Sequence, residues 1–170
     1  MSLVHNAGME PVRYVELLNR RYAAQGFPPY QWTVNETAPF TPLRKPLREC
    51  RVSMLTSGGV SRCAAAPWNP DAKNDLRLDA VDADAPTSDF QIHDSYYDHR
   101  DADRDLNCIF PLDRLRELAT DGVIGGVTSR MWSGFMGRIY TRSKVVNESA
   151  PALARELERD RVDLFVLVPS

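Results

Sequence analysis

The side chains best suited to chemistry crowd into one stretch, His93-Asp94-Ser95-Tyr96-Tyr97-Asp98-His99-Arg100-Asp101-Ala102-Asp103-Arg104-Asp105-Leu106-Asn107. Imidazole and carboxylate are the common acid–base groups and metal ligands near neutral pH. Two histidines among five aspartates and an asparagine could therefore move a proton, hold a polar substrate or ligate a metal. Asp101, Asp103 and Asp105 have the spacing that opens a calcium loop. Leu106, however, stands where that loop needs glycine and Leu112 where it needs glutamate, which excludes calcium. His93 and Asp98 are the acid–base candidates, and Tyr97, Asp105 and Asn107 the candidate substrate contacts. The same residues suit a solvated loop in which Asp105 and Asn107 satisfy backbone donors ahead of a helix.

A second candidate is Thr56-Ser57-Gly58-Gly59-Val60-Ser61-Arg62-Cys63. Backbone N–H groups over Thr56, Ser57, Gly58 and Gly59, together with the Arg62 guanidinium, could cradle a carboxylate or phosphate; a plain strand-to-loop turn is the competing reading. The stretch is neither G-x-G-x-x-G nor a Walker loop, so no nucleotide follows from it. Cys63 would be nucleophilic if Arg62 or the turn amides lowered its pKa, and is otherwise a bystander thiol. Trp132, Ser133, Gly134, Phe135 and Met136 read as a strand and turn packed in the core.

These clusters need elements to position them. Residues 10–25 carry Val12, Val15, Leu18 and Tyr22 at helical spacing, with Pro11 suited to the first helical position and Gly26 to a left-handed cap. Residues 27–47 interleave Pro28, Pro29, Pro39, Pro42 and Pro46 with Phe27, Tyr30, Trp32 and Phe40. They predict an extended arm packed on the domain or on a second copy. Residues 51–57 form the first strand. Residues 61–90 show no sustained period and predict a long functional loop, followed by a short strand over 90–93. A helix runs from Pro111 to Thr120 with Gly122 past its end, and residues 127–136 form another strand. A second helix follows Ser149 as N-cap, with Pro151 in its first turn. Leu164 to Val168 is an uninterrupted apolar run, predicting a central parallel strand covered on both faces. The alternation predicts one α/β domain over residues 1–170, with a mostly parallel sheet and flanking helices. In such sheets ligands bind beyond the carboxyl ends of the strands.

Composition narrows the partners. At 170 residues the chain can bury a hydrophobic core without disulfide or metal staples. With 21 basic and 23 acidic residues intermingled and a net charge of −2, no field favours nucleic acid or anionic membrane. No apolar stretch predicts a signal peptide or a span, and the three unpaired-looking cysteines suit a reducing compartment, so a cytoplasmic protein is expected.

Taken together, several segments resemble one family. They are Pro42-Leu43 with Lys45-Pro46-Leu47, Leu55-Thr56-Ser57-Gly58-Gly59-Val60, His93 with Tyr97-Asp98, Asp105 and Asn107, Phe110-Pro111-Leu112 with Arg114-Leu115 and Leu118, Gly122 with Ile124-Gly125, and Ser133-Gly134-Phe135-Met136-Gly137. In order and spacing they resemble the glycine/sarcosine/betaine/D-proline reductase selenoprotein B family from about residue 10 onward.

The resemblance implies reductive cleavage of a carbon–nitrogen bond in a small amino-acid-like substrate by a selenocysteine or cysteine. A soft, deprotonated nucleophile is the species that displaces an amine from carbon. In this reading Arg62 holds the substrate carboxylate, while His93 and Asp98 orient or protonate the leaving group. The nucleophile follows Ser170, whose next codon is expected to be a selenocysteine UGA, or comes from a partner reductase subunit. A thioredoxin-like reductant restores it, a homo-oligomer is expected, and no cofactor is called for. Two alternatives stand beside it. One is a non-catalytic binding or assembly subunit of the same fold; the other is a metal-dependent hydrolase or lyase built on the His93–Asp105 cluster.

Overall fold

The structure, a computed structural model, describes residues 13–29, 36–37 and 41–170. They fall in two compact units, residues 1–41 and 42–170. In the first, helix α1 (Tyr14–Ala23) ends at Gly26, whose φ of +82° is the left-handed cap the sequence predicts. Past the cap the Phe27 N–H donates to the Tyr22 carbonyl at 3.0 Å, and the two rings meet edge to face. Pro11, Val12, and the Tyr30, Trp32, Pro39 and Phe40 of the predicted arm lie outside the described residues.

The second unit is an α/β fold, as expected. Its strands are β1 (Arg51–Thr56), β2 (Val60–Arg62), β3 (Leu78–Asp82), β4 (Phe90–Ile92), β5 (Gly126–Val127), β6 (Arg130–Gly134) and β7 (Leu164–Val168). Its helices are α2 (Leu112–Thr120), α3 (Arg142–Lys144) and α4 (Ala150–Arg159), with a π turn (Val145–Ser149) joining the last two. β1 pairs in parallel with β7 over residues 52–56, with β5 through Arg51 and Val52, and with β6 through Leu55 and Thr56. A strand has two edges, so β5 and β6 lie end to end along the edge of β1 opposite β7. Hydroxyls fill the gap between them: Ser53 and Thr128 both donate to the Arg130 carbonyl, at 2.9 and 2.8 Å. β3 closes the far side antiparallel to β6, and β2 with β4 forms a separate antiparallel ribbon.

Apolar residues cover both faces. Val52, Met54, Met131 and Val81 pack with Phe110, Leu112 and Leu115 beneath α2. On the other face Leu55 and Trp132 meet Leu153 of α4, with Leu157 and Phe165 beside them. Arg116 ties α2 to the turn after β3. Its guanidinium donates to the carbonyls of the buried Ala83 and Ala85, the latter at 2.7 Å, and to Asp113 at 2.9 Å.

Three expectations are corrected. β7 is not the central strand; β1 is, and among the described residues β7 has β1 as its sole strand partner. Nor is β7 covered on both faces throughout, for Leu167 is 64% exposed. Residues 61–90 are not one long loop, for they contain β2 and β3; Asp79 and Asp82 hide β3 because an antiparallel edge strand tolerates charge. Ser149 is not an N-cap: it has helical angles and closes the π turn, just before Pro151, which has no N–H to give the preceding turn.

Replacing Arg116 with Met should lower the unfolding free energy by about 1–3 kcal/mol, because buried carbonyls lose their donors. Urea denaturation checks this, and an unchanged midpoint would mean that water replaces the guanidinium without cost.

Candidate active site

The carboxyl end of β1 runs into Ser57-Gly58-Gly59, and neighbouring elements converge on this turn. The Gly58 N–H donates to Thr56 Oγ1 at 3.1 Å, and the Gly58 carbonyl accepts from the Tyr97 hydroxyl at 3.0 Å. The Ser57 N–H donates to the Val168 carbonyl at 3.2 Å, while Ser57 Oγ accepts from the Ser170 N–H at 3.0 Å. The Gly59 carbonyl accepts from the His93 N–H at 2.9 Å. Crowding presses on both glycines, on Gly58 by side-chain ends and on Gly59 by backbone. A Cβ on Gly58 would lie 2.9 Å from Ile109 Cδ1 and from Ser170 Oγ. Gly59 has φ +67°, and a Cβ there would lie 2.4 Å from the His93 carbonyl oxygen.

Thr56, Ser57, Gly58, Gly59, Tyr97 and the backbone of His93 thus meet at the carboxyl edge of the sheet. Burial, then the nearby Asp94 and Asp103 carboxylates, push the Tyr97 phenol up to about 12. Tyr97 is therefore a hydrogen-bond donor at neutral pH.

The other candidates lie elsewhere. Arg62 pairs with Phe90 at the end of the β2–β4 ribbon remote from Gly59, about 10 Å along the strand at ordinary rise. Its Nη2 is bound to Asp89 at 2.9 Å and its guanidinium sits over the Phe90 ring. Cys63 is exposed just beyond, with its N–H on the Asp89 carbonyl. Asp98 is exposed and gripped by Arg100, whose guanidinium holds the carboxyl below the usual carboxylate range.

Asp105 and Asn107 prepare α2. Asp105 Oδ1 accepts from the Asn107 N–H at 3.0 Å, and Asn107 Oδ1 accepts from the Asp113 N–H at 3.0 Å. Together with Gln91, Asp103 and Asp113 they line a cleft of about 460 Å³ at the foot of α2. Among the described residues no group of three or more His, Cys, Asp or Glu could hold a metal ion, and no helix is long and apolar enough to cross a membrane.

One part of the edge escapes the sequence reading. The loop after β6 brings Met136, buried at 4% exposure, against Gly59, and Phe135 and Arg138 in it hold φ values of +54° and +58°. Ser133 at the end of β6 is fully buried, with no hydrogen-bond partner for Oγ among the described residues. The glycines at 134 and 137 were the available signal. They bracket a segment that bends sharply where a continuing strand was expected.

Residues 5–170 match the family described as glycine/sarcosine/betaine reductase selenoprotein B. D-proline reductase subunit gamma of Acetoanaerobium sticklandii is 32% identical over 128 residues, covering 75% of this chain and 52% of that protein. The chain therefore spans about half the length of the curated relative it matches. No solved structure matches it.

Two outcomes follow from this geometry. Gly59→Ala should destabilise the fold well beyond the ~1 kcal/mol of left-handed strain, because its Cβ meets backbone. Gly122→Ala, at φ +69° with nothing within 4 Å, should cost only that strain. Equal midpoints in urea would refute the crowding. Secondly, the folded protein keeps the Tyr97 proton between pH 10 and about 12 while the unfolded chain releases it. The associated stability is complete below pH 10 and is lost as pH rises through about 12. Spectrophotometric titration of Tyr97→Phe should then lack the last phenolate step; loss of an ordinary step instead would contradict the assignment.

Proposed function

The chain belongs to the glycine/sarcosine/betaine reductase selenoprotein B family, and from that premise we propose that it forms part of a reductase subunit cleaving the carbon–nitrogen bond of a small amino acid. The observation that carries this reading is the meeting of Ser57-Gly58-Gly59, Tyr97 and Ser170 at the carboxyl ends of β1 and β7, the side of an α/β sheet where ligands bind. In the proposed reaction a thiolate or selenolate attacks the carbon bearing nitrogen. The new carbon–chalcogen bond forms as the carbon–nitrogen bond breaks, and the amine departs with the bonding pair and takes a proton. A second thiol then attacks the sulfur or selenium. Carbon leaves protonated, and the two chalcogens are left oxidised as a disulfide or selenenylsulfide for a dithiol to reduce.

Within this scheme His93 supplies the proton to the leaving amine from its position beside Gly59. Ser57 and the Tyr97-braced Gly58 carbonyl form the wall against which the substrate is held. Asp98 and Cys63 have no direct part, being committed to Arg100 or set beyond the ribbon's far end. The nucleophile is supplied by a partner reductase subunit or by a segment not contained in residues 1–170.

A second reading, a non-catalytic assembly subunit, is favoured by one observation. The Gly58 amide and the Asp98 carboxylate are satisfied within the chain, and Arg62 is paired with Asp89. The two readings separate when the protein, purified with its native partners, is given glycine, sarcosine, betaine or D-proline together with a dithiol. Dithiol-dependent cleavage of one of them, reduced roughly 100-fold by Gly58→Val, is the expected result. An intact complex that cleaves none of the four would instead establish the assembly role.

A further inference from the structure

The loop over residues 135–141 walls the carboxyl edge on the side away from β7. Met136 Sδ stands 3.0 Å from where a Cβ on Gly59 would lie, and a Cβ on Gly137 would lie 3.2 Å from the Tyr96 ring. Arg138 comes next, its guanidinium 5.3 Å from the centroid of that same ring. Met136 thus touches the glycine turn, and Arg138, two residues further on, lies over the ring of Tyr96, the residue before Tyr97.

The direction of Arg138 is imposed by its surroundings. A non-glycine residue at positive φ costs of order 1–3 kcal/mol and persists only where other contacts over-determine it. Asn74 supplies them. Its N–H donates to the Arg138 carbonyl at 3.0 Å, and its Oδ1 accepts from the N–H groups of Tyr140 at 2.7 Å and Thr141 at 3.1 Å and from the Thr141 hydroxyl at 3.3 Å.

The guanidinium so placed is only partly used. Nη1 donates to the Asp71 carbonyl at 3.1 Å and lies 3.7 Å from Asp71 Oδ1, a carboxylate 82% exposed whose pull water screens. Nε and Nη2 have no partner among the described residues. Arg62 and Arg100 are paired with Asp89 at 2.9 Å and Asp98 at 2.5 Å, although the buried Arg62 Nε also has no partner among the described residues.

We propose that Arg138 is the residue that binds the substrate's carboxylate, with the Tyr96 ring holding its plane. The assignment rests on the amino-acid reductase reading above and replaces Arg62 in that role. A planar guanidinium offers a carboxylate two parallel N–H bonds. The four amino acids named for the test above share a carboxylate on the carbon that bears nitrogen, while their nitrogens range from primary to quaternary. Arg138 therefore anchors what they have in common, and Met136, beside the turn, meets what differs.

The test is equilibrium binding, to the protein with its native partners, of glycine, sarcosine, betaine and D-proline. Each is compared with its carboxylate-free counterpart: methylamine, dimethylamine, tetramethylammonium or pyrrolidine. The acid that binds should lose at least roughly tenfold in affinity in Arg138→Gln, while its amine counterpart binds as before. Arg142→Gln, farther along the same segment, should change nothing. Arg138→Lys keeps the charge without the fork and should fall between wild type and Gln, which decides the matter if the Gln variant proves unfolded by circular dichroism. Acid affinity that survives both substitutions overturns the assignment alone. Wild-type protein that binds none of the four acids overturns the reductase reading and the assignment with it.

Discussion

The pairing of β1 with β7 is the constraint on which the edge depends, and it is pinned at its start. Asp163 Oδ2 accepts from the Arg51 N–H at 2.8 Å and from Lys45 Nζ at 2.7 Å, and the Asp163 N–H returns a bond to the Arg51 carbonyl at 2.9 Å. The Arg51 amide, then Lys45, hold this carboxyl below its ordinary range. A strand that slips by one residue turns every side chain to the opposite face. With Asp163 fixed, Val52 must face Leu164 and Thr56 must face Val168, so Ser170 arrives on Ser57 and Gly58. The lower end of the sheet thereby sets the geometry of its upper end.

Much of this was legible because burial leaves a pattern. β1, α2, α4 and the β7 run were visible as apolar stretches or 3.6-residue periods, and the Ser57-Gly58-Gly59 turn as glycine after a strand. What was not legible is lateral and electrostatic. Which strand lies beside which is decided by pairings such as Leu55 with Trp132, across a sequence gap that periodicity does not span. β3 escaped because its aspartates sit at an antiparallel edge, and Ser149 misled because a π turn carries helical angles through a residue suited to a cap.

The charged candidates failed to gather for a related reason. A dense run of aspartate and arginine satisfies itself locally: Asp98 with Arg100, Asp101 with Arg104, His99 with Asp103. Arg62, which looked free after the glycine turn, is neutralised across the ribbon by Asp89, a partner 27 positions away. Residue type therefore located the edge but not its charge. Arg138, which keeps donors to spare, carries no sequence mark other than the glycine one position before it.

Ser57 and Ser170, which meet at the carboxyl edge of the sheet, are 113 positions apart. Closing so long a loop costs entropy before any contact repays it, so the turn is among the last features to form as the chain folds. During synthesis β1 emerges with both edges empty, and the edge that β7 takes stays empty until residues 164–168 have left the ribosome. The same apolar strand that later centres the sheet is, for that interval, an unpaired template. The nascent chain is thus exposed to mispairing at the segment around which the finished sheet is built.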